Sequence, residues 1–354
     1  MKEIFDGFFK NKKVLVTGHT GFKGSWLSIW LRELGAEVVG YALDPYTKYD
    51  NFVVTDLENR ITDIRGDVRD YDKVINTFNE HNPEIVFHLA AQPLVKLSYE
   101  KPRETYETNV MGTVNVLEAA RKNKSTQVFI NITSDKCYEN KEWIWGYREN
   151  DTMGGYDPYS SSKGCSELIT SAYMRSFFVN STNNIGIASV RAGNVIGGGD
   201  WAKDRLIPDC ISSIKIGKPI LIRNPKSTRP WQHVLEPLYG YLLLASYLYK
   251  NPTEYSGSWN FGPSENLIMT VREVVEKLLK KWGSGRWVTE MPNSKEVHEC
   301  RLLKLDISKA IYYLGWKPRL DFDKTLKLVV DWYKNENLDY SFDVQQIEEF
   351  LNVN

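Results

Sequence analysis

Hydrophobic positions in the first half of the chain alternate between short apolar runs and longer segments with helical spacing. Val14–Val16 is a short apolar run, whereas Phe22–Leu34 carries apolar residues three and four positions apart, as one face of a helix does. The same reasoning predicts strands at 38–43, 60–66, 84–91, 128–133 and 185–190, and helices at 71–79, 102–122 and 159–178. This alternation predicts an α/β fold, with a doubly wound parallel sheet covered by helices on both faces.

The alternation stops near residue 195, where Gly, Pro and Trp become frequent. Residues 229–249 resemble a strand and a helix that return to the first unit, and the last twenty residues are expected to form a loosely held tail or a helix. Later helices are predicted at 271–281, 308–314 and 322–335. The predicted boundaries are 1–193 with 230–260 returning for a large domain, and 194–229 with 261–354 for a smaller α/β domain.

Composition narrows the class of function. The chain is 42% apolar and 25% charged, which is typical of a soluble globular protein. Lys and Arg (45) balance Asp and Glu (45), so the basic excess needed for non-specific nucleic-acid binding is missing. The N-terminal segment lacks the apolar core of a signal peptide, and no stretch reaches the roughly 18 apolar residues of a membrane span. We expect a cytoplasmic protein that binds neither nucleic acid nor membrane.

The cysteines argue against a metal site. Cys137, Cys165, Cys210 and Cys300 form no CxxC pair and no His/Cys cluster with the spacing of metal ligands. In a chain of this length they do not resemble a disulfide framework. We expect free thiols in a reducing compartment and no bound metal.

A glycine-rich turn follows the first predicted strand, with the sequence Gly18-His19-Thr20-Gly21-Phe22-Lys23-Gly24. Such a turn lets backbone approach a pyrophosphate and aims the amides of the next helix at it, although the spacing is GxxGxxG rather than GxGxxG. Asp44 ends the second strand, where an acidic side chain binds ribose hydroxyls and repels a 2′-phosphate; no arginine directly follows it. The pattern predicts a dinucleotide site that favours NAD over NADP. The alternative is a structural glycine turn and a solvent-exposed aspartate.

Additional candidate cofactor contacts lie downstream, at Asp67, Val68, Ala90, Ala91, Gln92 and Asn109. Asp67 has a structural alternative, as the cap of the helix predicted from Tyr71. The small residues that end the fourth strand suit the close approach of a cofactor. His88 precedes them within an apolar run, and we expect it to be a hydrogen-bonded core histidine rather than a ligand.

A tyrosine and a lysine provide the candidate chemistry. Tyr159 and Lys163 are four residues apart on a predicted helix, so the phenol and the ammonium share one face. The cation is expected to lower the pKa of Tyr159 and make it an acceptor for the proton of an alcohol. Ser134, Asp135 and Lys136 end a strand, and the carboxyl ends of parallel strands line the ligand crevice. The alternatives are a chance Tyr/Lys spacing and an ordinary polar strand end.

Together these motifs resemble the extended short-chain dehydrogenase/reductase family, with a Rossmann cofactor domain, over nearly the whole chain. Within it the nearest group is the nucleotide-sugar 4,6-dehydratases. The segments most similar to members acting on CDP-glucose are GHTGFKGSWL (Gly18–Leu27), RAGNVIGGGD (Arg191–Asp200), RPWQHVLE (Arg229–Glu236) and the pattern from Lys304 to Trp316. The resemblance implies CDP-glucose as the small-molecule substrate, held by the smaller domain, and tightly bound NAD that is regenerated in each turnover.

The resemblance also implies roles for the candidate residues. Tyr159 would take the proton of the sugar 4-hydroxyl, held by Ser134, while hydride passes from C4 to NAD. Asp135 matches the acid that protonates the leaving 6-hydroxyl, after which hydride returns to C6. Lys136 stands where many dehydratases have glutamate as the base for the C5 proton. Since an ammonium cannot accept a proton, our hypothesis is that Lys136 acts in its neutral form; the alternative is that it stabilises the enolate.

Two phosphates on the substrate need charge-assisted partners. The substrate-binding residues implied by the resemblance are Asn194, Arg205, Arg229 and Arg301. Arg205 and Arg301 are weaker candidates, with ordinary surface arginines as the alternative. Arg229 matches the arginine of an Arg-x-Trp motif, and Pro230 stands in its middle position, where related dehydratases usually have an acidic residue.

Three other functions remain open. A nucleotide-sugar 4-epimerase shares the fold, NAD and the Tyr/Lys pair but does not need Asp135 as an acid, and a dehydratase for dTDP-glucose shares the whole mechanism. A non-catalytic dinucleotide-binding regulator is disfavoured by the joint presence of Ser134, Tyr159 and Lys163. The resemblance implies a homodimer, or a tetramer of such pairs, formed through the helices at 102–122 and 159–178. It also implies a place in dideoxysugar formation for a bacterial surface polysaccharide such as O-antigen.

Overall fold

The computed structural model describes residues 1, 3–179, 184–264, 268–289 and 302–353. The strands in these residues are β1 (Lys13–Thr17), β2 (Glu37–Ala42), β3 (Thr62–Arg65), β4 (Ile85–His88), β5 (Val128–Ile132), β6 (Gly186–Ala192), β7 (Asn194–Ile196), β8 (Ile220–Ile222), β9 (Thr228–His233), β10 (Gly257–Phe261), β11 (Ile268–Thr270) and β12 (Trp287–Thr289).

The helices of the same residues follow in chain order. They are α1 (Phe22–Glu33), α2 (Asn51–Val54), α3 (Tyr71–His81), α4 (Val95–Glu100), α5 (Pro102–Tyr106), α6 (Gly112–Lys122), α7 (Pro158–Tyr173), α8 (Leu206–Lys215), α9 (Leu235–Lys250), α10 (Pro252–Tyr255), α11 (Val271–Trp282), α12 (Ser308–Leu314), α13 (Phe322–Lys334) and α14 (Tyr340–Leu351).

A seven-stranded sheet has the order β10-β6-β5-β4-β1-β2-β3, and all its neighbouring strands are parallel. The chain runs outward from β1 to β3 and then returns to β4 on the other side of β1, so the strand order reverses between β1 and β4. Ligands of doubly wound sheets bind at the carboxyl ends of the strands at such a reversal. The predicted doubly wound parallel sheet is confirmed.

Apolar side chains cover both faces of this sheet. Val14 and Val16 of β1 belong to one buried cluster and Leu15 to the other, as the period of two in a strand requires. Trp26 of α1 lies fully buried in the first cluster and Leu117 of α6 in the second. Burying each such side chain contributes roughly 1.5–3 kcal/mol, so the two layers hold the helices that carry the site firmly on the sheet.

The second half of the chain divides between this sheet and two smaller ones. β10 pairs in parallel with β6 at the edge of the large sheet, and α9 packs on β5 and β6. β9 lies between β7 and β11 in a three-stranded sheet, and β8 pairs with β12. β6, which pairs with β5, ends at Ala192, and β7 begins at Asn194, so the chain passes from the large sheet to the three-stranded one at the predicted boundary near residue 193.

The two long predicted helices are present, with a local change in winding. A π-helical segment, Glu107–Met111, joins α5 to α6, and a second one, Met174–Phe178, continues α7. Such segments are frequent at functional sites because they turn a side chain out of its regular position. Asn109 lies in the first of them.

The C-terminal residues form a helix rather than a loose tail. The rings of Phe350 in α14 and Trp30 in α1 pack edge to face, with centroids 5.8 Å apart. Asp343 accepts a hydrogen bond from the indole of Trp332 at 2.9 Å. The first contact fixes α14 on α1, the helix that follows the glycine loop, and the second fixes it on α13.

No helix in the described part of the chain is long and apolar enough to cross a membrane. Within the same part, His, Cys, Asp and Glu side chains form no group of three or more that is suited to hold a metal ion. Cys137, Cys165 and Cys210 are free thiols, whereas Cys300 lies outside the described residues.

Candidate active site

Two glycines shape the turn between β1 and α1. Gly18 has a φ of +77°, and a Cβ on it would lie 2.8 Å from the backbone nitrogen of Ala90 at the end of β4. A Cβ on Gly24 would lie 2.1 Å from the carbonyl oxygen of Gly18. Because only glycine fits at both positions, the loop and the N-terminus of α1 lie close against the point where the strand order reverses. Thr20 donates a hydrogen bond to the carbonyl of Leu43 at 3.0 Å and fixes the loop to the end of β2.

Gly24→Ala is expected to abolish NAD binding and to lower the free energy of unfolding by about 1–3 kcal/mol, because the added methyl group collides with backbone. Thermal unfolding and titration with NADH fluorescence measure the two effects. Gly262→Ala is the matched control, since its Cβ would meet the Ile307 side chain at an ordinary 3.4 Å. NADH binding of Gly24→Ala at the parental affinity would contradict this role of the glycine.

An arginine of the neighbouring strand lies beside the end of β2, which the sequence order did not indicate. Asp44 is 89% exposed, and its Oδ1 lies 3.9 Å from Nε of Arg65. Arg65 belongs to β3, the neighbouring strand, and also contacts Asp63 at 2.8 Å. No arginine directly follows Asp44 in the chain, but parallel pairing places one beside it. The binding of ribose by Asp44 stays a prediction.

Asp67 does not cap the helix that follows it. The side chain of Asp70 accepts the hydrogen bond from the Lys73 amide and caps α3. The carboxylate of Asp67 binds Arg69 at 2.6 Å instead, and the hydrogen bonds from Arg69 hold the pKa of Asp67 below its usual value. The helix-cap alternative is therefore wrong. Val68 is buried, 4% exposed.

Asn109 joins the end of β4 to α7. Its Oδ1 accepts a hydrogen bond from the amide of Gln92 at 2.7 Å, and its Nδ2 donates to Oγ of Ser162 at 2.9 Å. The side chain of Gln92 donates to Thr105 at 2.9 Å. These bonds place Gln92 and Asn109 between the end of β4 and α7, the helix of Tyr159. Contact of these two residues with the cofactor stays a prediction.

His88 is a core histidine, as expected. Its two ring nitrogens lie 2.7 Å from Oγ1 of Thr17 and 3.3 Å from Oγ1 of Thr113. Burial lowers the pKa of His88 to about 3, so the ring is neutral. The Thr17 hydroxyl also accepts a hydrogen bond from the Ala90 amide at 3.2 Å, which fixes the small residues that begin with Ala90 against β1.

Tyr159 and Lys163 lie on one face of α7. Asp157 caps this helix by accepting a hydrogen bond from the Ser160 amide at 2.9 Å. Gly164 lets the helix approach its surroundings, because a Cβ there would lie 2.7 Å from the carbonyl oxygen of residue 154. Tyr159 and Lys163 are only 8% and 6% exposed, so the predicted pairing of phenol and ammonium sits in a largely dry site.

Hydrogen bonds connect Tyr159 with the end of β5. The hydroxyl of Ser134 bonds to the phenol of Tyr159, and it donates to Oδ1 of Asp135 at 2.9 Å. Ser134 and Asp135 are 8% and 5% exposed. Nζ of Lys163 donates to the carbonyl of Ile132 at 3.4 Å, directly behind this group. The structure thus brings together four of the five predicted catalytic side chains.

Burial sets the proton affinities in this group. It raises the pKa of Tyr159 to about 12, against the opposing hydrogen bond from Ser134, so the expected lowering of this pKa is wrong. Burial also lowers the pKa of Lys163 to about 8. The pKa of Asp135 is raised, mainly by burial, which outweighs the opposing charge of Lys136. A carboxyl group that keeps its proton to higher pH is suited to act as an acid.

Lys23 lies nearer to this group than its place in the glycine loop indicated. Burial lowers the pKa of Lys23 to about 8, and the charges of Arg205 and Asp135 act on it in opposite directions. Lys136, the fifth predicted catalytic residue, is half-buried, and its backbone amide donates to Oγ of Ser134 at 3.3 Å. The Asp135 carboxyl group is therefore influenced by Lys136, the next residue in the chain, and by Lys23, which is distant in the sequence.

The substrate candidates approach the site from the second half of the chain. A Cβ on Gly193 would lie 3.0 Å from Oδ2 of Asp135 and 3.6 Å from Cγ of Pro230. Asn194 follows at the start of β7, and the positive charge of Arg229 acts to lower the pKa of Asp135. Pro230, the departure noted in the sequence, therefore lies close to the Asp135 carboxyl group.

Arg205 is held near the site by an acidic partner. Its Nη1 lies 2.9 Å from Oδ2 of Asp200, and its charge acts to lower the pKa of Tyr159. Its side chain is 35% exposed, and its contact with a substrate stays a prediction. Arg301, the remaining candidate, lies outside the described residues.

Glu167 is a buried residue that the sequence analysis did not single out. It is 3% exposed, and its carboxylate lies 2.7 Å from Nη2 of Arg191. Its place four residues after Lys163 was a usable signal, because that spacing puts it on the same helix face. The identity of its partner depends on how α7 packs on β6, which the sequence does not reveal.

Comparisons with known proteins agree with this fold. The sequence profile of the family described as GDP-mannose 4,6 dehydratase matches residues 15–329. The CDP-glucose 4,6-dehydratase of Salmonella typhimurium is 54% identical over 336 residues, which cover 94% of this chain and 93% of that protein.

Solved structures share the architecture. The UDP-glucose 4-epimerase of Thermotoga maritima superposes with a TM-score of 0.78 at 24% identity, covering 91% of this chain and 98% of that one. A dTDP-glucose 4,6-dehydratase from Streptomyces venezuelae, solved with NAD, gives 0.75 at 24% identity, covering 91% and 97%. These two likenesses concern the fold, whereas the profile match and the Salmonella relative concern the sequence itself. The chain therefore belongs to the GDP-mannose 4,6 dehydratase family, within the extended short-chain dehydrogenases/reductases.

Proposed function

We propose that this chain is an NAD-dependent CDP-glucose 4,6-dehydratase, a lyase that converts CDP-D-glucose to CDP-4-dehydro-6-deoxy-D-glucose. The observation that carries the proposal is the buried hydrogen-bonded group of Tyr159, Ser134 and Asp135 beside the glycine loop. It combines a group that can accept an alcohol proton with an acid that can protonate a leaving hydroxyl. The 54% identity with the Salmonella CDP-glucose 4,6-dehydratase supports both the reaction and the nucleotide.

The residues around the strand reversal fit NAD. Gly18 and Gly24 form a loop that a Cβ would fill, and the loop leads into the N-terminus of α1, where a diphosphate is favoured. When bound, NAD supplies the hydride acceptor and donor that oxidation at C4 and reduction at C6 require. The residues proposed to hold it are Gly18, Thr20, Gly21, Phe22, Lys23, Gly24, Asp44, Asp67, Val68, Ala90, Ala91, Gln92, Asn109, Tyr159 and Lys163.

In this proposal Tyr159 accepts the proton of the 4-hydroxyl, and Ser134 holds the same oxygen. Only the phenolate of Tyr159 can accept this proton, and burial disfavours it by raising the pKa of Tyr159 to about 12. The proposal therefore assigns to Lys163, one helical turn along α7, the positive charge that stabilises the phenolate. The 4-ketone then makes the hydrogen at C5 acidic.

Asp135 is the proposed acid for the departing 6-hydroxyl. Its raised pKa favours the protonated form, and Ser134 connects it with Tyr159. Loss of the C5 proton and of the 6-hydroxyl gives a 4-keto-5,6-ene, and reduction at C6 with reprotonation at C5 completes the net loss of water. The hydride and a proton at C5 return to the sugar, and the proton taken from the 4-hydroxyl replaces the one that Asp135 gives to the departing water.

Lys136 is proposed to move the C5 proton. Replacement of Lys136 by methionine is expected to abolish the incorporation of solvent deuterium at C5, because the methionine side chain of similar length carries no amine. Mass spectrometry of the product or of recovered substrate measures the incorporation. Lys141→Met, in the loop that follows, is the matched control. Deuterium incorporation at the parental rate in Lys136→Met would assign the C5 proton to another group.

The substrate diphosphate is proposed to bind between the two halves of the chain. Arg205 and Arg229 both influence the site electrostatically, and charged partners are what two phosphates require. The residues proposed to contact the substrate are Asn194, Arg205, Arg229 and Arg301.

The test of the function is a comparison of CDP-, dTDP-, UDP- and GDP-linked hexoses. A dehydratase gives a 4-keto sugar that develops a chromophore in alkali, with the highest rate for CDP-glucose. A 4-epimerase, the second candidate because of its shared fold and TM-score of 0.78, gives CDP-galactose instead. Preference for dTDP-glucose would overturn the nucleotide but not the mechanism.

We also propose that the enzyme works in the cytoplasm as a homodimer, and that two such dimers can pair to form a tetramer. Met111 and Leu168, on the two long helical segments, are 52% and 60% exposed, and a second copy would cover them. The proposed product is a precursor of dideoxysugars for a surface polysaccharide such as O-antigen.

A further inference from the structure

The buried pair of Glu167 and Arg191 lies directly behind the catalytic group and has no part in the steps proposed above. Both side chains are 2–3% exposed. Nε and Nη2 of Arg191 lie 2.9 Å and 2.7 Å from the two carboxylate oxygens of Glu167, a two-pronged geometry. A buried pair of this kind is not in itself stabilising, so its place in the fold calls for another reason.

The Glu167 carboxylate ties the catalytic helix to three strands. It accepts hydrogen bonds from the hydroxyl of Thr133 at the end of β5, from Ser189 of β6 at 2.5 Å and from Ser258 of β10 at 3.4 Å. Thr133 directly precedes Ser134 in the chain. One carboxylate on α7 therefore sets the distance between the helix of Tyr159 and the segment that carries the serine and the catalytic acid.

Glu167 is also a source of negative charge beside Lys163. It lies one helical turn further along α7, and its charge acts to raise the pKa of Lys163 against the effect of burial. The other titratable groups that face Lys163 are Tyr159 on the same helix, Cys137 after β5, Lys23 on α1 and neutral His88 on β4. Glu167 is the acidic one among them.

We propose that Glu167 is a positioning residue for the reaction: with Arg191, it holds the Tyr159–Lys163 face of α7 against the Ser134–Asp135 segment and keeps the lysine charged. This inference rests on the proposed function, because it assumes that Tyr159 and a cationic Lys163 take part in turnover. Arg191 shares the task from the opposite side, since its Nη1 also donates to the carbonyl of Glu149 at 3.0 Å.

The test compares Glu167→Gln with variants that keep or rebalance the charge. In Glu167→Gln the carboxylate is lost while the charge of Arg191 remains, so the pKa of Lys163 falls. The alkaline limb of the C4-oxidation rate, followed as cofactor reduction in single turnovers and so separate from the water loss that Asp135 controls, moves to lower pH by about one unit or more. At a pH above both limbs this is an about tenfold loss of that rate, with the half-saturating concentration of CDP-glucose little changed. Glu167→Asp keeps the charge, and the alkaline limb should stay at the parental pH even where the rate falls.

The double variant E167Q/R191M separates positioning from mere folding. It removes both charges, so the alkaline limb should return toward the parental pH even though the double variant has lost more hydrogen bonds than Glu167→Gln. Circular dichroism and thermal unfolding identify the folded fraction of each variant, and rates are expressed per folded enzyme. An alkaline limb of Glu167→Gln that coincides with the parental one would overturn the inference.

Failure of the inference is distinguishable from failure of the proposed function. If the parent enzyme prefers another nucleotide-linked hexose, the same comparison is made with that substrate, because the Tyr/Lys pair serves the epimerase and dehydratase reactions alike. A parent that turns over none of the hexoses contradicts both proposals. An active parent whose pH profile Glu167→Gln leaves unmoved contradicts the role of Glu167 alone.

Discussion

Tyr159→Phe is expected to lower kcat for CDP-glucose by about 10²–10⁴-fold, because it removes the proposed acceptor of the 4-hydroxyl proton while keeping the ring that packs in the site. The ring is 8% exposed and the phenol bonds to Ser134, so the lost hydrogen bond should lower the free energy of unfolding by only about 1 kcal/mol. Steady-state kinetics and thermal unfolding measure the two effects. KM should change little, since the hydroxyl acts mainly in the transition state.

Tyr156→Phe is the matched control for this change. Tyr156 lies three residues earlier and is 78% exposed, so removal of its hydroxyl should leave kcat near the parental value. NADH titration of Tyr159→Phe checks that cofactor binding survives. Retention of more than about a tenth of the parental kcat would show that Tyr159 is not the base.

Asp135→Asn is expected to separate the two halves of the reaction. The amide keeps the shape of the side chain but cannot give a proton to the leaving hydroxyl, so water loss should fall by about 10²–10⁴-fold while oxidation at C4 continues. Under single-turnover conditions the near-ultraviolet absorbance of the reduced cofactor should therefore rise and persist. Alkali treatment followed by mass spectrometry shows whether any 6-deoxy product forms.

The parent enzyme should show the corresponding pH dependence. Burial raises the pKa of Asp135, so the protonated acid is present below the raised value, and the rate of water loss falls as the pH rises through it. Asp135→Asn should lose this dependence. Asp151→Asn, whose carboxylate accepts a hydrogen bond from the Arg148 amide at 2.8 Å, is a control outside the catalytic group. Full dehydration by Asp135→Asn would transfer the role of the acid to another side chain.

Much of the architecture followed from the periodicity. The apolar run before Gly18 and the helical spacing after it predicted β1 and α1 to within one residue at most ends. The strand predicted at 84–91 was too long. β4 ends at His88, and the small residues after it belong to the loop at the carboxyl end of the sheet. Apolar runs alone do not mark the end of a strand, because the half-buried residues Leu89–Ala91 continue the apolar run beyond β4.

The chemistry was predicted in part. The spacing of Tyr159 and Lys163 placed both on one helix face, and Ser134 and Asp135 at a strand end placed both at the crevice. The direction of the Tyr159 pKa was wrong, since a cation four residues away says nothing about how much water the fold removes. Arg65 beside Asp44 and Lys23 beside Asp135 were not predicted, because each pair is separated in the chain and joined only by strand or loop packing.

The sequence by itself determined the alternation of strands and helices, the glycines that allow close backbone contacts in the turn after β1, and the residue types available for proton transfer. These are local properties, fixed by steric freedom at Gly18 and Gly24 and by side-chain spacing on one helix. The tertiary structure alone decided proton affinities and partners, among them the Glu167–Arg191 pair that links α7 to β6. Desolvation and Coulomb interaction depend on what surrounds a group in space, and those neighbours come from distant parts of the chain.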